Sequence, residues 1–113
     1  MNKSTNPIRS SLAADPDFSD LVVEFVSELP IKVTSIQKSL AENDTTSLRR
    51  TFHQLRGACG GYGFPMLSEA AGMIEDRVNS NESIAQLESR ISDFIEMLRR
   101  TTAEPDPDLS IDS

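Results

Sequence analysis

A chain of 113 residues, 37% of them hydrophobic, has room for one domain and one modest core. Its net charge of −7 argues against nucleic acid as a partner, and no apolar run is longer than Leu21-Val22-Val23, which excludes a membrane-spanning helix. One cysteine cannot close an internal disulfide, one Cys with one His is too few for a structural zinc site, and the opening MNKSTNPIRSS lacks the apolar stretch of a secretory signal, so the chain is expected to be cytoplasmic.

Residues 1–15 read as a flexible segment or a short capping helix, and residues 16–103 as the folded unit. The first long helical pattern begins near Asp17, a candidate N-cap. Its apolar stripe is Val22, Phe25, Val26, Leu29, Val33, Ile36 and Leu40, and no segment alternates as a strand does. Pro30 falls inside this stripe and removes a backbone hydrogen bond. Because the stripe keeps phase across it, the expectation is one helix kinked at Pro30.

Asp44 is placed to cap a second helix running from about Thr45 to Gly60, with Leu48, Phe52, Leu55 and Cys59 as its inner stripe. The cluster Gly60-Gly61-Tyr62-Gly63 stops it. Pro65 suits the first turn of a third helix, whose inner face is Leu67, Ala70, Ala71, Ile74 and Val78. Asn79-Ser80-Asn81 ends that pattern. Ser83 with Gln86 reads as a capping box for a fourth helix carrying Ile84, Leu87, Ile91, Phe94, Ile95 and Leu98 in phase. Met66, Met73 and Met97 are read as packing residues, as are Tyr62 and Phe64. Short connections between amphipathic helices imply an all-α fold, an antiparallel up-down-up-down four-helix bundle. From Glu104 the chain has four acids, no base, and two prolines, so residues 104–113 are expected to be a disordered acidic tail.

The second helix holds the only histidine, and residues 45–60 carry Arg49, Arg50 and Arg56 with no acid. On a wheel of 100° per residue His53 lies roughly 130° from the centre of the apolar stripe, so it does not point into the core. Arg49, Arg56, Gly57 and Gly60 share its flank at i−4, i+3, i+4 and i+7. Each glycine costs the helix about 1 kcal/mol relative to alanine. Bare backbone beside an imidazole lets another macromolecule approach closely, and the arginines offer charge to an anion. The glycines do not make a nucleotide loop, since no Gly-Lys-Ser/Thr follows and no strand precedes. Gly57-Ala58-Cys59-Gly60 has the GxxG spacing of a KH module, but such a module needs strands and a less acidic chain.

The run His53-x-x-Arg56-Gly57-x-x-Gly60-x-x-Gly63-Phe64 resembles the signature of histidine-containing phosphotransfer (HPt) domains, which have Lys or Arg at +3 from the histidine and glycines at +4, +7 and often +10. The resemblance spans residues 17–103 and includes a polar residue on the third helix at +22, here Glu75. It departs from the commoner pattern in having Arg56 in place of lysine, a planar fork in place of a point charge. The resemblance implies a phosphorelay protein, not an enzyme with ATPase or autokinase activity. His53 would accept a phosphoryl group from a receiver-domain aspartate or a kinase and pass it to another response-regulator receiver. Arg56 would neutralise the phosphoryl oxygens and Glu75 would orient the imidazole. Gly57 and Gly60 would keep the approach open, and Arg49 would help to guide the partner. Its partners would be receiver domains and a sensor or hybrid histidine kinase, with neither nucleic acid nor membrane involved. The chain would hold no cofactor, magnesium belonging to the receiver, and would act as a monomer. The alternative is a degenerate bundle that binds a receiver or kinase without being phosphorylated.

Overall fold

The computed structural model describes residues 6–107. Five α-helices follow one another: α1 (Ser19–Ser27), α2 (Leu29–Ala41), α3 (Thr45–Gly61), α4 (Pro65–Asn79) and α5 (Ile84–Arg99). Two two-residue strands, β1 (Ile8–Arg9) and β2 (Thr101–Thr102), pair in parallel. Helices α2 to α5 form a ring of contacts, α2 on α3, α3 on α4, α4 on α5 and α5 back on α2, with α3 and α4 the most closely associated pair. The fold is a helical bundle, and none of its helices is long and apolar enough to cross a membrane.

The helical stripes become the core. Leu48, Phe52, Leu55 and Cys59 of α3 are fully buried against Leu67, Ala71, Ile74 and Val78 of α4 and Leu87, Ile91, Phe94, Ile95 and Leu98 of α5. Phe52 meets Phe94 edge to face with centroids 5.3 Å apart, the geometry that aromatic quadrupoles favour. Met66 and Met73, expected inside, are 56% and 52% exposed. Both sit one residue to the side of the stripe on which Leu67 and Ile74 lie, so the core is already filled when α4 docks.

The caps form as the sequence implies at two of three helix starts. Asp44 accepts hydrogen bonds from the Ser47 amide (3.0 Å) and hydroxyl (2.7 Å), and these bonds, aided by the charge of Arg50, hold its carboxyl below the usual range. Ser83 and Gln86 make the reciprocal capping box. Asp17 does not cap. Phe18 occupies the cap position of α1 without a side-chain bond, and the Asp15 carboxylate accepts from the Asp17 amide.

The segment expected as one helix kinked at Pro30 is divided into α1 and α2 at Glu28. Pro30 has no N–H to continue the ladder from α1, and it lies in the opening turn of α2, where that N–H is not needed. The inner stripe still keeps phase, because Val22, Leu29, Val33 and Ile36 are all buried.

The N-terminal segment also differs from expectation: its described residues make neither a helix nor a free arm. The Ile8 amide donates to the Arg100 carbonyl (2.9 Å), Ile8 is buried, and the Ser11 amide donates to the Gly63 carbonyl (2.9 Å). The Ser10 hydroxyl donates to the Tyr62 carbonyl at 2.6 Å. Of the expected acidic tail, residues 108–113 lie outside the described part, while the Arg9 guanidinium donates to the carbonyls of Glu104 (3.1 Å) and Pro105 (3.0 Å). Tyr62 and Phe64 flank the glycine turn and both reach Phe25 of α1, with centroids 4.7 Å and 5.8 Å away.

Gly63 closes the turn after α3 with φ +85°, and a Cβ there would fall 2.5 Å from Ser10 Oγ and 2.9 Å from Ser11 Oγ. Gly63→Ala is therefore expected to cost about 1–3 kcal/mol in urea unfolding, from left-handed strain and the loosened N-terminal contact together. Burial pushes the Cys59 thiol up to about 12. At pH 8 the native protein should resist alkylation by iodoacetamide, and urea-unfolded protein should react at the rate of a free thiol.

Candidate functional site

Burial of Leu48, Phe52, Leu55 and Cys59 fixes the rotation of α3 and leaves His53 on its flank, with the side chain 74% exposed. Helix α4 runs beside this flank and brings Glu75 to it. Glu75 neighbours Ile74 on the buried side of α4, and its side chain is only 11% exposed. A carboxylate so far removed from water needs donors. It has two. His53 Nδ1 lies 2.8 Å from Oε2, and Arg56 Nη1 lies 3.5 Å from Oε1.

A carboxylate can only accept, so the imidazole proton in this contact resides on Nδ1. In the neutral ring Nε2 then carries the lone pair, on an edge that faces away from Glu75, and no other hydrogen bond engages the ring among the described residues. The site thus presents one oriented, exposed nitrogen nucleophile held from behind by a buried acid.

Arg56 takes an unexpected course. Its stem crosses the backbone of α4 at Gly72, where a Cβ would come within 3.0 Å of Nε and 3.2 Å of Cδ and Cζ. From there the guanidinium reaches Glu75 and comes to 4.0 Å from Asp76 Oδ1. The Ser68 hydroxyl donates to the Arg56 carbonyl at 2.7 Å, and Ser68 Oγ would sit 3.3 Å from a Cβ at Gly60. Gly60 thus faces α4, whereas Gly57 has open space where a side chain would be.

His53 shares a shallow depression of ≈ 230 Å³ with Thr46, Arg49, Arg50 and Glu75. Arg56 lines a separate depression of ≈ 390 Å³ with Gly60, Pro65, Ser68, Glu69, Gly72, Met73 and Asp76. Of the residues singled out from sequence, the structure therefore joins His53, Glu75 and Arg49 in one hollow. It sets Arg56 and Gly60 in the next, linked to the first through Glu75. A larger hollow of ≈ 510 Å³ beside Leu29, Val33 and Leu98 has Arg99 as its one charged lining residue and no histidine. Among the described residues no three His, Cys, Asp or Glu side chains gather to hold a metal ion.

Sequence reasoning passed over Gly72, Thr46 and Ser68, and it placed Arg50 only in the basic stretch around His53, as a surface charge that helps to guide an acidic partner. Gly72 is a glycine inside a strong helical pattern, which signals a close approach. Arg50 lies at i−3 from His53, a helical neighbour by spacing alone. Thr46 and Ser68 carry no such signal.

In Glu75→Ala the acceptor at Nδ1 disappears. Ring 15N chemical shifts in alkaline solution should report a single Nδ1–H tautomer in the wild type and a mixture in the variant, with the helical circular dichroism unchanged. A single tautomer in both would mean that Glu75 does not set the proton's place.

A family model described as the Hpt domain matches residues 20–101, most of the chain. Comparisons with curated proteins and with solved structures found no significant match.

Proposed function

The chain belongs to the Hpt domain family, whose members carry phosphoryl groups on histidine in phosphorelays, and from that premise we propose that His53 is the phosphoacceptor. The observation that carries this reading is the 2.8 Å contact between Nδ1 and Glu75, which in the neutral ring places the lone pair on Nε2 and turns it outward. The Nε2 lone pair attacks the phosphorus of a receiver's aspartyl phosphate. The P–O bond to the aspartate breaks, and the carboxylate leaves with the bonding pair. The Nδ1 proton stays where it was, so the phosphorylated ring gains a positive charge beside the Glu75 carboxylate. The bond from a neutral ring to the carboxylate becomes an ion pair between a cationic ring and the carboxylate, which strengthens it. Return of the group to a second receiver reverses these steps.

Phosphoryl transfer needs positioning and charge more than covalent help from the protein. Glu75 orients the ring. Arg56 adds positive charge at the edge of the site, and Arg49 favours an acidic partner. Gly57 leaves the backbone of α3 low beside His53, which admits a receiver's catalytic pocket, whereas Gly60, expected to share that task, is covered by Ser68 of α4. Magnesium is supplied by that pocket, and the kinase at the head of the relay supplies ATP chemistry. In this reading α2 to α5 alternate in direction, as their short connections favour, and the chain works as a cytoplasmic monomer with the α3–α4 face free.

Incubation with a phosphorylated receiver and magnesium should place an acid-labile, base-stable phosphate on the wild type and none on His53→Gln. Label persisting in the variant would assign the chemistry to another residue. Receivers that bind the wild type yet never transfer would make it an interaction module.

A further inference from the structure

The phosphoryl group on Nε2 would be dianionic and would stand on the ring edge opposite Glu75. It needs cations of its own, because the contact that holds Nδ1 is made by an acid. Arg56 is poorly placed to be the main one. Its stem is laid along Gly72, and its guanidinium already faces the carboxylates of Glu75 at 3.5 Å and Asp76 at 4.0 Å. It also lines a different depression from the one His53 occupies.

Arg49 and Arg50 are differently situated. Both are exposed, both lie one turn before His53 on α3, and both line its depression together with Thr46. Among the described residues neither has a carboxylate within ion-pairing distance. Arg50 lends its field to Asp44 at the start of α3, but that carboxylate is satisfied by Ser47. Residues at i−4 and i−3 are the helical neighbours whose long side chains can fold over position i. Two guanidinium forks of fixed planar geometry suit three phosphoryl oxygens better than one ammonium does.

Resting on the phosphotransfer reading, we infer that Arg49 and Arg50, rather than Arg56, make the direct contacts to the phosphoryl oxygens on His53, with the Thr46 hydroxyl as a further donor. Arg56 is then a positioning residue that acts through Glu75. The basic stretch at the start of α3 is part of the site itself.

Phosphoramidate tests this on the full chain without any partner surface. The Nε2 lone pair attacks phosphorus, the P–N bond breaks and ammonia leaves. Arg49→Gln/Arg50→Gln should label roughly tenfold more slowly than the wild type, and Lys at both positions should restore most of the rate, since the charge returns. Lys38→Gln/Arg90→Gln removes the same net charge from residues outside the depression and should label as the wild type does. The 31P resonance of the phosphohistidine should titrate at higher pH in the Arg49/Arg50 double variant, because nearby cations favour the dianion. A merely structural role would leave that titration unmoved. Labelling of the double variant at the rate of the Lys38/Arg90 control would overturn the inference. So would a larger loss in Arg56→Gln than in the double variant. A defect seen only with a phosphorylated receiver as donor would assign the two arginines to docking instead. A wild-type chain that takes no label on His53 from either donor would remove the phosphotransfer reading, and this inference with it.

Discussion

A carboxylate withdrawn from water must be met by donors, and Glu75, with 11% of its side chain exposed, is met by two from α3, His53 and Arg56. That demand sets the proton on His53, since only an Nδ1–H can answer it. It also draws Arg56 across α4, close over Gly72, where a side chain would crowd the arginine stem. The tight association of α3 with α4 brings these groups to one place, and the buried stripe of Leu48, Phe52, Leu55 and Cys59 gives α3 the rotation that makes the encounter possible. The polar contact does not hold the bundle together. The core does, and the contact uses its rigidity to fix one ring nitrogen.

The glycines of this chain divide their tasks by what lies over them. Gly57 has nothing over it and leaves a bare surface beside the histidine. Gly60 and Gly72 face side chains of the neighbouring helix, Ser68 in one case and Arg56 in the other, and so let α3 and α4 lie close. Gly63 alone needs its unusual backbone angle, and the N-terminal segment rests on it. One motif thus serves access, helix approach and a turn.

Much of this was legible in the sequence because it depends on neighbours along one helix. The stripes of α3 and α5, the caps at Asp44 and Ser83, and the flank carrying His53, Arg56 and Gly57 all follow from a period of 3.6 residues. Glu75 needed the resemblance, for nothing local distinguishes it from a solvated acid. What stayed hidden depends on a second element. Gly72 matters only because Arg56 arrives from α3, and Ile8 is buried only because the end of α5 is beside it. The division of α1 from α2 is a subtler case: an unbroken apolar phase favoured one bent helix, but phase reports which face is inward and says nothing of whether the backbone ladder continues. Met66 and Met73 stayed outside because helix rotation is settled by the whole stripe and not by single hydrophobic residues.

The parallel pairing of Ile8 with Thr101 and Arg9 with Thr102 has a consequence for architecture. Entry to the bundle and exit from it lie side by side, at a seam next to which Ser11 bonds the turn at Gly63, just past the end of α3, and His53 lies eight residues before that end, or roughly 12 Å by helical rise. Because the two strands are parallel, the chain arrives at one end of the pair and departs from the other, so a longer polypeptide carrying this unit would run through the seam in one direction and not double back as a hairpin does. The reactive ring would keep its outlook in such a polypeptide, because the seam lies off α3 and the segment beside it reaches only the turn that follows that helix.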